Sequence, residues 1–208
     1  MANAISPNGF TVMDSVTSNQ AYQTHTYCIP AADALQYQIG DAVKIAAGAD
    51  ANGYSYVQKA AGTASEYVRG VIVGCYPTNN VGTPSLIGTP LALETINIPA
   101  TKTHDYYVEV NDDPNTIYEI QDDGLTALTA TNANNNAYYT VANPTAPLQV
   151  SATVLTTGTV GTGATLPLRM LGLSVRNAPG GGNTFGKYAV WRVKFNFHDL
   201  NSAGVAGV

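Results

Sequence analysis

Residues 188–198 read YAVWRVKFNFH, and this stretch decides the fold class. Apolar residues occupy every second position and share one face: Ala189, Trp191, Val193, Phe195 and Phe197. The opposite face carries Tyr188, Val190, Arg192, Lys194, Asn196 and His198. Alternation with period two over this length predicts a β-strand with one buried face and one face that meets water or a partner. We therefore expect Trp191 to anchor a core rather than to bind a ligand.

Similar segments recur earlier in the chain, separated by turns about every 8–12 residues. GADANG joins two predicted strands at 44–47 and 54–59, and Asn52-Gly53 supplies the positive φ that a tight hairpin needs. EYVRGVIVGC, residues 66–75, predicts a further strong strand. Others are expected at 91–98, 106–110, 117–120, 137–142, 148–155 and 166–175. Since no segment has an amphipathic helical repeat, we expect a mostly β fold, either a barrel or a sandwich.

The two ends of the chain differ from this body. Residues 1–29 predict an extended N-terminal arm, polar and poor in charge, whose scattered apolar side chains have no local core: Ile5, Phe10, Val12 and Val16. Residues 201–208, NSAGVAGV, predict a short flexible tail. The arm either contacts a partner chain or folds back onto its own domain. The body spans 30–200, as one β module or as two fused modules with a boundary near 76–90.

Composition excludes several classes of function. Only 11% of the 208 residues are charged, against about 25% in a typical soluble domain. The 13 tyrosines and a largely neutral polar surface are typical of interfaces. A net charge of -5 argues against nucleic-acid and anionic-membrane binding, since both require clustered cations. The N-terminus lacks a signal-peptide pattern, and Cys28 and Cys75 indicate buried thiols, so we expect synthesis in a cytoplasm.

Charge is unevenly distributed along the chain. Half of the acidic residues lie within nineteen positions: Asp105, Glu109, Asp112, Asp113, Glu119, Asp122 and Asp123. NDDPN and QDDG are turn sequences, and neither has EF-hand spacing, so we favour turns over a calcium site. The final part of the chain is basic, with Arg169, Arg176, Lys187, Arg192 and Lys194. The acidic and basic regions are expected to meet, either within one chain or between subunits.

The sequence has no recognisable catalytic pattern. His25, His104 and His198 lack a nucleophile with the spacing of a known motif. Residues 181–187 match G-x-x-x-x-G-K, but Tyr188 and an alternating strand follow, where a phosphate loop needs Ser or Thr and a helix. We expect no enzyme activity, no cofactor and no bound metal.

Five segments carry a resemblance to a known class of protein. They are QIGDAVKIAAGADANGYSYVQKA (38–60), EYVRGVIVG (66–74), YYVEVNDDPNTIYEIQDDG (106–124), LPLRMLGL (166–173) and YAVWRVKFNFHDL (188–200). These stretches are similar to β modules of tailed-bacteriophage virion proteins, and the family resembled is the head decoration, or capsid cement, proteins.

The resemblance implies a non-enzymatic virion structural protein on the outer surface of the capsid. Its partners would be the major capsid protein and further copies of itself, with a homotrimer favoured over a homodimer. On this hypothesis Ile5, Phe10, Val12, Val16, Arg192 and Lys194 are candidate interface residues. The alternatives are a phage tail or fibre component that binds host-surface glycan, and a calcium-dependent carbohydrate-binding β-sandwich.

Overall fold

A computed structural model describes residues 3–15, 23–76, 97–144, 150–175 and 182–201. Within these ranges the fold is mostly β, as predicted, with a single 3₁₀ turn at Ala130–Asn132. The strands are β1 (Thr11–Ser15), β2 (Thr24–Ile29), β3 (Tyr37–Gln38), β4 (Ala42–Ala49), β5 (Ser55–Lys59), β6 (Gly70–Cys75), β7 (Asn97–Ile98), β8 (Tyr106–Asn111), β9 (Thr116–Gln121), β10 (Asn136–Thr140), β11 (Val154–Gly161), β12 (Leu168–Leu173) and β13 (Val190–Phe195).

Five strands form a closed barrel in the order β2-β5-β4-β6-β8. The predicted hairpin is confirmed: β4 and β5 pair in antiparallel fashion, and Gly53 has a φ of 89°. Closure uses a parallel contact between β2 and β5, in which Cys28 lies opposite Tyr56. The interior is apolar, and its fully buried members include Ile29, Val43, Val57, Ile72, Val108 and Val110.

Six strands form an open sheet in the order β1-β9-β13-β12-β10-β11. The alternation in residues 188–198 is confirmed on its apolar side, because all five predicted core residues are buried. Asn196 and His198, predicted on the wet face, are instead buried at 8% and 3% exposure. The reason is that β13 ends at Phe195. Beyond it, Asn196 Nδ2 donates to the Leu166 carbonyl, and His198 forms a parallel bridge with Val68.

A second core joins the barrel to the open sheet. Ala42, Ala60, Val68 and Val71 from the barrel side pack with inner-face residues of the sheet, among them Leu168, Met170, Trp191 and Val193. The chain passes from barrel to sheet once in its middle, through the turn between β8 and β9. A module boundary near 76–90 is therefore wrong: β6 and β8 lie on either side of it and pair within one barrel. Residues 77–96 themselves lie outside the described residues.

The predicted arm is largely part of the body. Phe10 is 2% exposed and contacts Tyr118, Tyr139 and Phe195. β1 pairs with β9, and β2 is a barrel strand paired with β8. An arm over 1–29 is thus corrected for residues 8–15 and 23–29, because their apolar side chains find cores about a hundred positions away in sequence. Residues 16–22 and 202–208, with Val16 and most of the predicted tail, lie outside the described residues.

Candidate functional site

Asp122 accepts a cluster of hydrogen bonds at one end of the open sheet. Its buried carboxylate accepts hydrogen bonds from Trp191 Nε1 at 3.1 Å and from the Tyr188, Ala189 and Gly124 amides at 2.7, 3.0 and 2.9 Å. Burial raises the pKa of Asp122, although these hydrogen bonds act in the opposite direction. One side chain therefore fixes both the QDDG turn and the start of β13.

The N-terminal segment lies across the same end. The Asn3 side-chain amide donates to the carbonyls of Thr184 and Lys187 at 2.8 and 3.0 Å. Gln121 Nε2 donates to the Ala4 carbonyl, and Gln121 Oε1 accepts the Ser6 amide at 2.7 Å. Residues 3–6 are therefore held against their own chain.

Large exposed apolar side chains gather where these segments meet. Ile5 is 70% exposed and Val175 is 83% exposed, and Leu125 and Phe185 are also exposed. Ile5 lies between two residues bonded to Gln121, and Val175 follows Ser174, whose carbonyl accepts the Asn183 side chain. We call Ile5, Leu125, Val175 and Phe185 the apolar end. Exposed apolar groups brought together on an ordered framework mark an interaction site.

The outer face of the open sheet carries three cations. Arg169 and Lys194 are register partners on β12 and β13, and Arg192 lies two positions before Lys194 on the same face. Among the described residues, the lysines and arginines that form ion pairs are Lys44, Lys59 and Arg69, which lie outside this group of three. Lys194 Nζ donates to a neutral acceptor, Asn115 Oδ1, at 3.2 Å. We call Arg169, Arg192 and Lys194 the basic face.

Three carboxylates of the barrel are each bonded to a tyrosine. Tyr107 donates to Asp50, Tyr76 donates to Glu109 at 2.8 Å, and Tyr56 donates to Asp105 at 3.4 Å. Cys28 lies opposite both Tyr56 and Tyr107 on neighbouring strands. We call these six tyrosine and carboxylate residues the tyrosine–carboxylate face. Among the described residues, none of these carboxylates forms an ion pair with a lysine, arginine or histidine.

Hydrogen bonding at this face shifts ionisation. Burial, followed by the hydrogen bond to Asp50, raises the pKa of Tyr107 to about 12. Burial opposes the shift at Asp50, yet hydrogen bonds from Tyr107, Tyr54 and Asn52 lower its pKa overall. Burial, followed by the charges of Asp105 and Asp50, raises the pKa of the Cys28 thiol to about 12. At neutral pH Tyr107 is therefore protonated and Asp50 is ionised.

The acidic run builds turns, as predicted. Asp113 Oδ1 accepts the Asn115 amide, and Asp123 Oδ1 accepts the Leu125 amide. Among the described residues, no group of three or more His, Cys, Asp and Glu side chains could hold a metal ion. The acidic and basic regions do meet within one chain, because Glu119 of β9 lies opposite Arg192 of β13.

The histidines are dispersed. His25 Nδ1 bonds both oxygens of Asp112, whose Oδ2 also accepts Tyr27 Oη at 2.7 Å. His104 stacks on Tyr106. Buried His198 lies beside Asp199, which bonds Arg69 Nε at 2.9 Å. The His25–Asp112 pair is the arrangement closest to an acid–base dyad, and it joins β2 to the turn after β8.

A groove of about 440 Å³ lies between barrel and sheet. Leu35, Lys59, Tyr139 and Asn143 are among its lining residues. Lys59 Nζ lies 2.7 Å from Asp41 Oδ2 and 3.1 Å from Asn143 Oδ1. The groove combines amide, ammonium and apolar groups, which suits a small polar ligand. The volume of the groove falls within the usual range for ligand sites.

The predicted interface residues separate into three environments. Arg192 and Lys194 lie together on the basic face, and Ile5 lies on the apolar end. Phe10 belongs to the shared core and is too deeply buried to contact another chain, and half-buried Val12 packs against that core. No pattern in the sequence indicates the tyrosine–carboxylate face, because its members come from separate segments that only barrel closure brings together.

Comparisons with known proteins found no matching family model, no similar curated protein and no similar solved structure. Along the described ranges of the chain, no helix is long and apolar enough to cross a membrane.

Proposed function

We propose that this chain is a non-enzymatic virion structural protein that binds the outer surface of a major capsid shell and stabilises it. The observation that carries the proposal is the apolar end, where four exposed side chains lie on segments that hydrogen bonds hold to the end of the sheet. A rigid framework lowers the entropic cost of docking, because the contact residues are already ordered before they meet a partner.

The surface composition supports the same role. A chain with few charges and many tyrosines suits contact with other proteins. A shell presents many identical seams, so a modest affinity at each seam is multiplied across the particle. Ile5 and its neighbours would contact the capsid protein, and the barrel would project from the shell.

The test is co-sedimentation with shells of the major capsid protein encoded in the same genome. Ile5→Asp and Val175→Asp should each reduce occupancy by about tenfold or more, since each places a charge in a desolvated contact. Leu35→Asp is the matched control: Leu35 is also exposed, but it lies at the groove. Unchanged occupancy of both apolar-end variants, or equal loss with the control, would overturn the proposal.

A deletion of residues 1–25 is unsuitable for this purpose. It would remove Phe10 and β1 and shorten β2, so the body itself would lose core contacts. Point substitutions at exposed positions separate docking from folding.

The groove favours a second candidate, a tail or fibre component that binds host-surface glycan. Gold-labelled antibody distinguishes the two by electron microscopy: label spread over the head supports the capsid proposal, and label at the tail supports the glycan binder.

A further inference from the structure

The basic face and the tyrosine–carboxylate face lie on opposite sides of the molecule. Trp191 and Val193 alternate with the basic-face residues of β13 and point into the shared core, so the cations point away from the barrel. The shared core takes Ala42 and Val71 from the near ends of β4 and β6. Asp50 follows the opposite end of β4.

The direction of β8 places Asp105 at that far end too. β8 begins at Tyr106, and the β8 residue near the shared core is Asn111, which lies opposite Val71. Asp105 and Tyr107 are therefore remote from the sheet, with Glu109 intermediate. A single copy cannot bring its own two faces together.

Each face carries charged groups that its own chain leaves without enough opposite charge. Arg169 and Lys194 are like charges directly opposite on neighbouring strands, which destabilises a sheet unless an anion lies nearby. Glu119 is beside Arg192, but it is almost fully buried and accepts the Ser174 hydroxyl. Glu119 on β9 and Asp14 on the edge strand β1 supply two carboxylates against the three cations of the basic face.

The tyrosine–carboxylate face is the complement. Its three carboxylates accept hydrogen bonds from tyrosines without being neutralised. Guanidinium groups bind carboxylates in a bidentate manner and stack on tyrosine rings. Arginine and tyrosine are also the residues enriched at the centres of protein interfaces.

We propose that copies of this chain associate head to tail, with the basic face of one copy against the tyrosine–carboxylate face of the next. A twofold dimer would leave one pair of faces unused, because the two faces point in opposite directions. A heterologous interface closes into a ring when its rotation permits, and otherwise extends as a chain. The inference does not depend on capsid binding.

The experiment is native mass spectrometry and sedimentation velocity on the full chain in the absence of capsids. The wild-type chain should form a species larger than two copies at low salt and dissociate as salt rises, since screening weakens exposed charge pairs. Arg169→Gln/Arg192→Gln/Lys194→Gln and Asp105→Asn/Glu109→Gln should each sediment with the mass of one chain. Circular dichroism checks that both variants fold.

Mixing the two variants tests the head-to-tail geometry directly. Each variant retains one intact face, so the mixture should give pairs of one copy each and nothing larger. A wild-type chain that stays monomeric, variants that keep the wild-type mass, or a mixture that stays monomeric would each overturn the proposal. If a multiple variant misfolds, Lys194→Gln and Glu109→Gln serve alone, because each should weaken association. Lys187→Gln is the matched control: it removes an exposed cation outside the basic face and should change nothing.

Discussion

The barrel and the open sheet are both built from short strands, but the barrel is closed and the sheet has free edges. The barrel is closed, so all of its strands have two neighbours and its interior forms a core of its own. The sheet has two edges, β1 and β11, and only one of its faces is covered by the barrel. A closed sheet satisfies its own backbone, whereas an open sheet needs other segments to cover it. The barrel is therefore the scaffold, and the sheet is the part most dependent on added contacts.

The N-terminal segment shows how the sheet meets this need. β1 extends the sheet by one strand, Phe10 fills the shared core, and Asn3 ties the segment to the loop before β13. The segment is therefore part of the body, and its exposed side chains, such as Ile5, are the ones left to meet a neighbour.

The largest effect is expected for Phe10→Ala. Phe10 contacts three aromatic rings in the shared core, so its truncation should lower the free energy of unfolding by about 3–5 kcal/mol. Chemical denaturation measures this loss. Ile5→Ala, at an exposed position of the same segment, should cost less than about 0.5 kcal/mol. Equal, small effects at both positions would mean that the segment is a detachable arm.

A second substitution compares a glycine of the sheet with one of the barrel. Gly124 has a φ of 65°, and a Cβ there would lie 2.2 Å from the Tyr188 ring. Gly124→Ala should therefore lower the free energy of unfolding by about 2–3 kcal/mol, through backbone strain and overpacking. Gly53 has a φ of 89° with open space around it. Gly53→Ala should cost about 1 kcal/mol, from backbone strain alone. An equal loss of unfolding free energy in the two variants would show that the QDDG turn is not tightly packed.

A smaller effect is expected from His198, which joins the end of β13 to Val68. Burial lowers the pKa of His198 below its usual value near 6.5, and the charge of Asp199 only partly opposes this. The unfolded chain then binds more protons than the folded chain, so stability is full above pH 6.5 and falls as the pH drops below it. Melting temperatures across this window measure the slope. His198→Gln should flatten it, and an unchanged slope in that variant would assign the effect to another group.

No change in melting temperature is expected when EDTA is added. The carboxylates of the acidic run already accept hydrogen bonds from amides, hydroxyls or the Trp191 indole, so EDTA should leave the melting temperature unchanged. A melting temperature that falls with EDTA and recovers with calcium would instead support the calcium-dependent β-sandwich.

Local pattern predicted the local features of the fold. Residues 188–198 gave the buried face of β13, and Asn52-Gly53 marked a real hairpin. The prediction at 148–155 was displaced, since β11 spans Val154–Gly161. Its polar, Thr- and Gly-rich second half has little apolar alternation, so pattern alone could not place it.

Long-range pairing explains what sequence could not predict. Thr11 lies opposite Glu119, and this pairing places Phe10 in the shared core. No residue near Phe10 in the sequence indicates that it is buried. Arg192 and Lys194 were found because alternation sorts the two faces of one strand. Asp105 and Glu109 stand out in the sequence only as members of the acidic run, because the tyrosines that donate to them lie in other segments and become neighbours only when the barrel closes.

Both thiols of this protein are free and buried, and both lie in barrel strands. Burial raises the pKa of each to about 12, so neither is an effective nucleophile at neutral pH while the strands stay closed. The rate at which an alkylating reagent modifies them should therefore report the opening of the scaffold alone. Comparing that rate with the unfolding of the whole chain would show whether the barrel opens together with the sheet or separately from it.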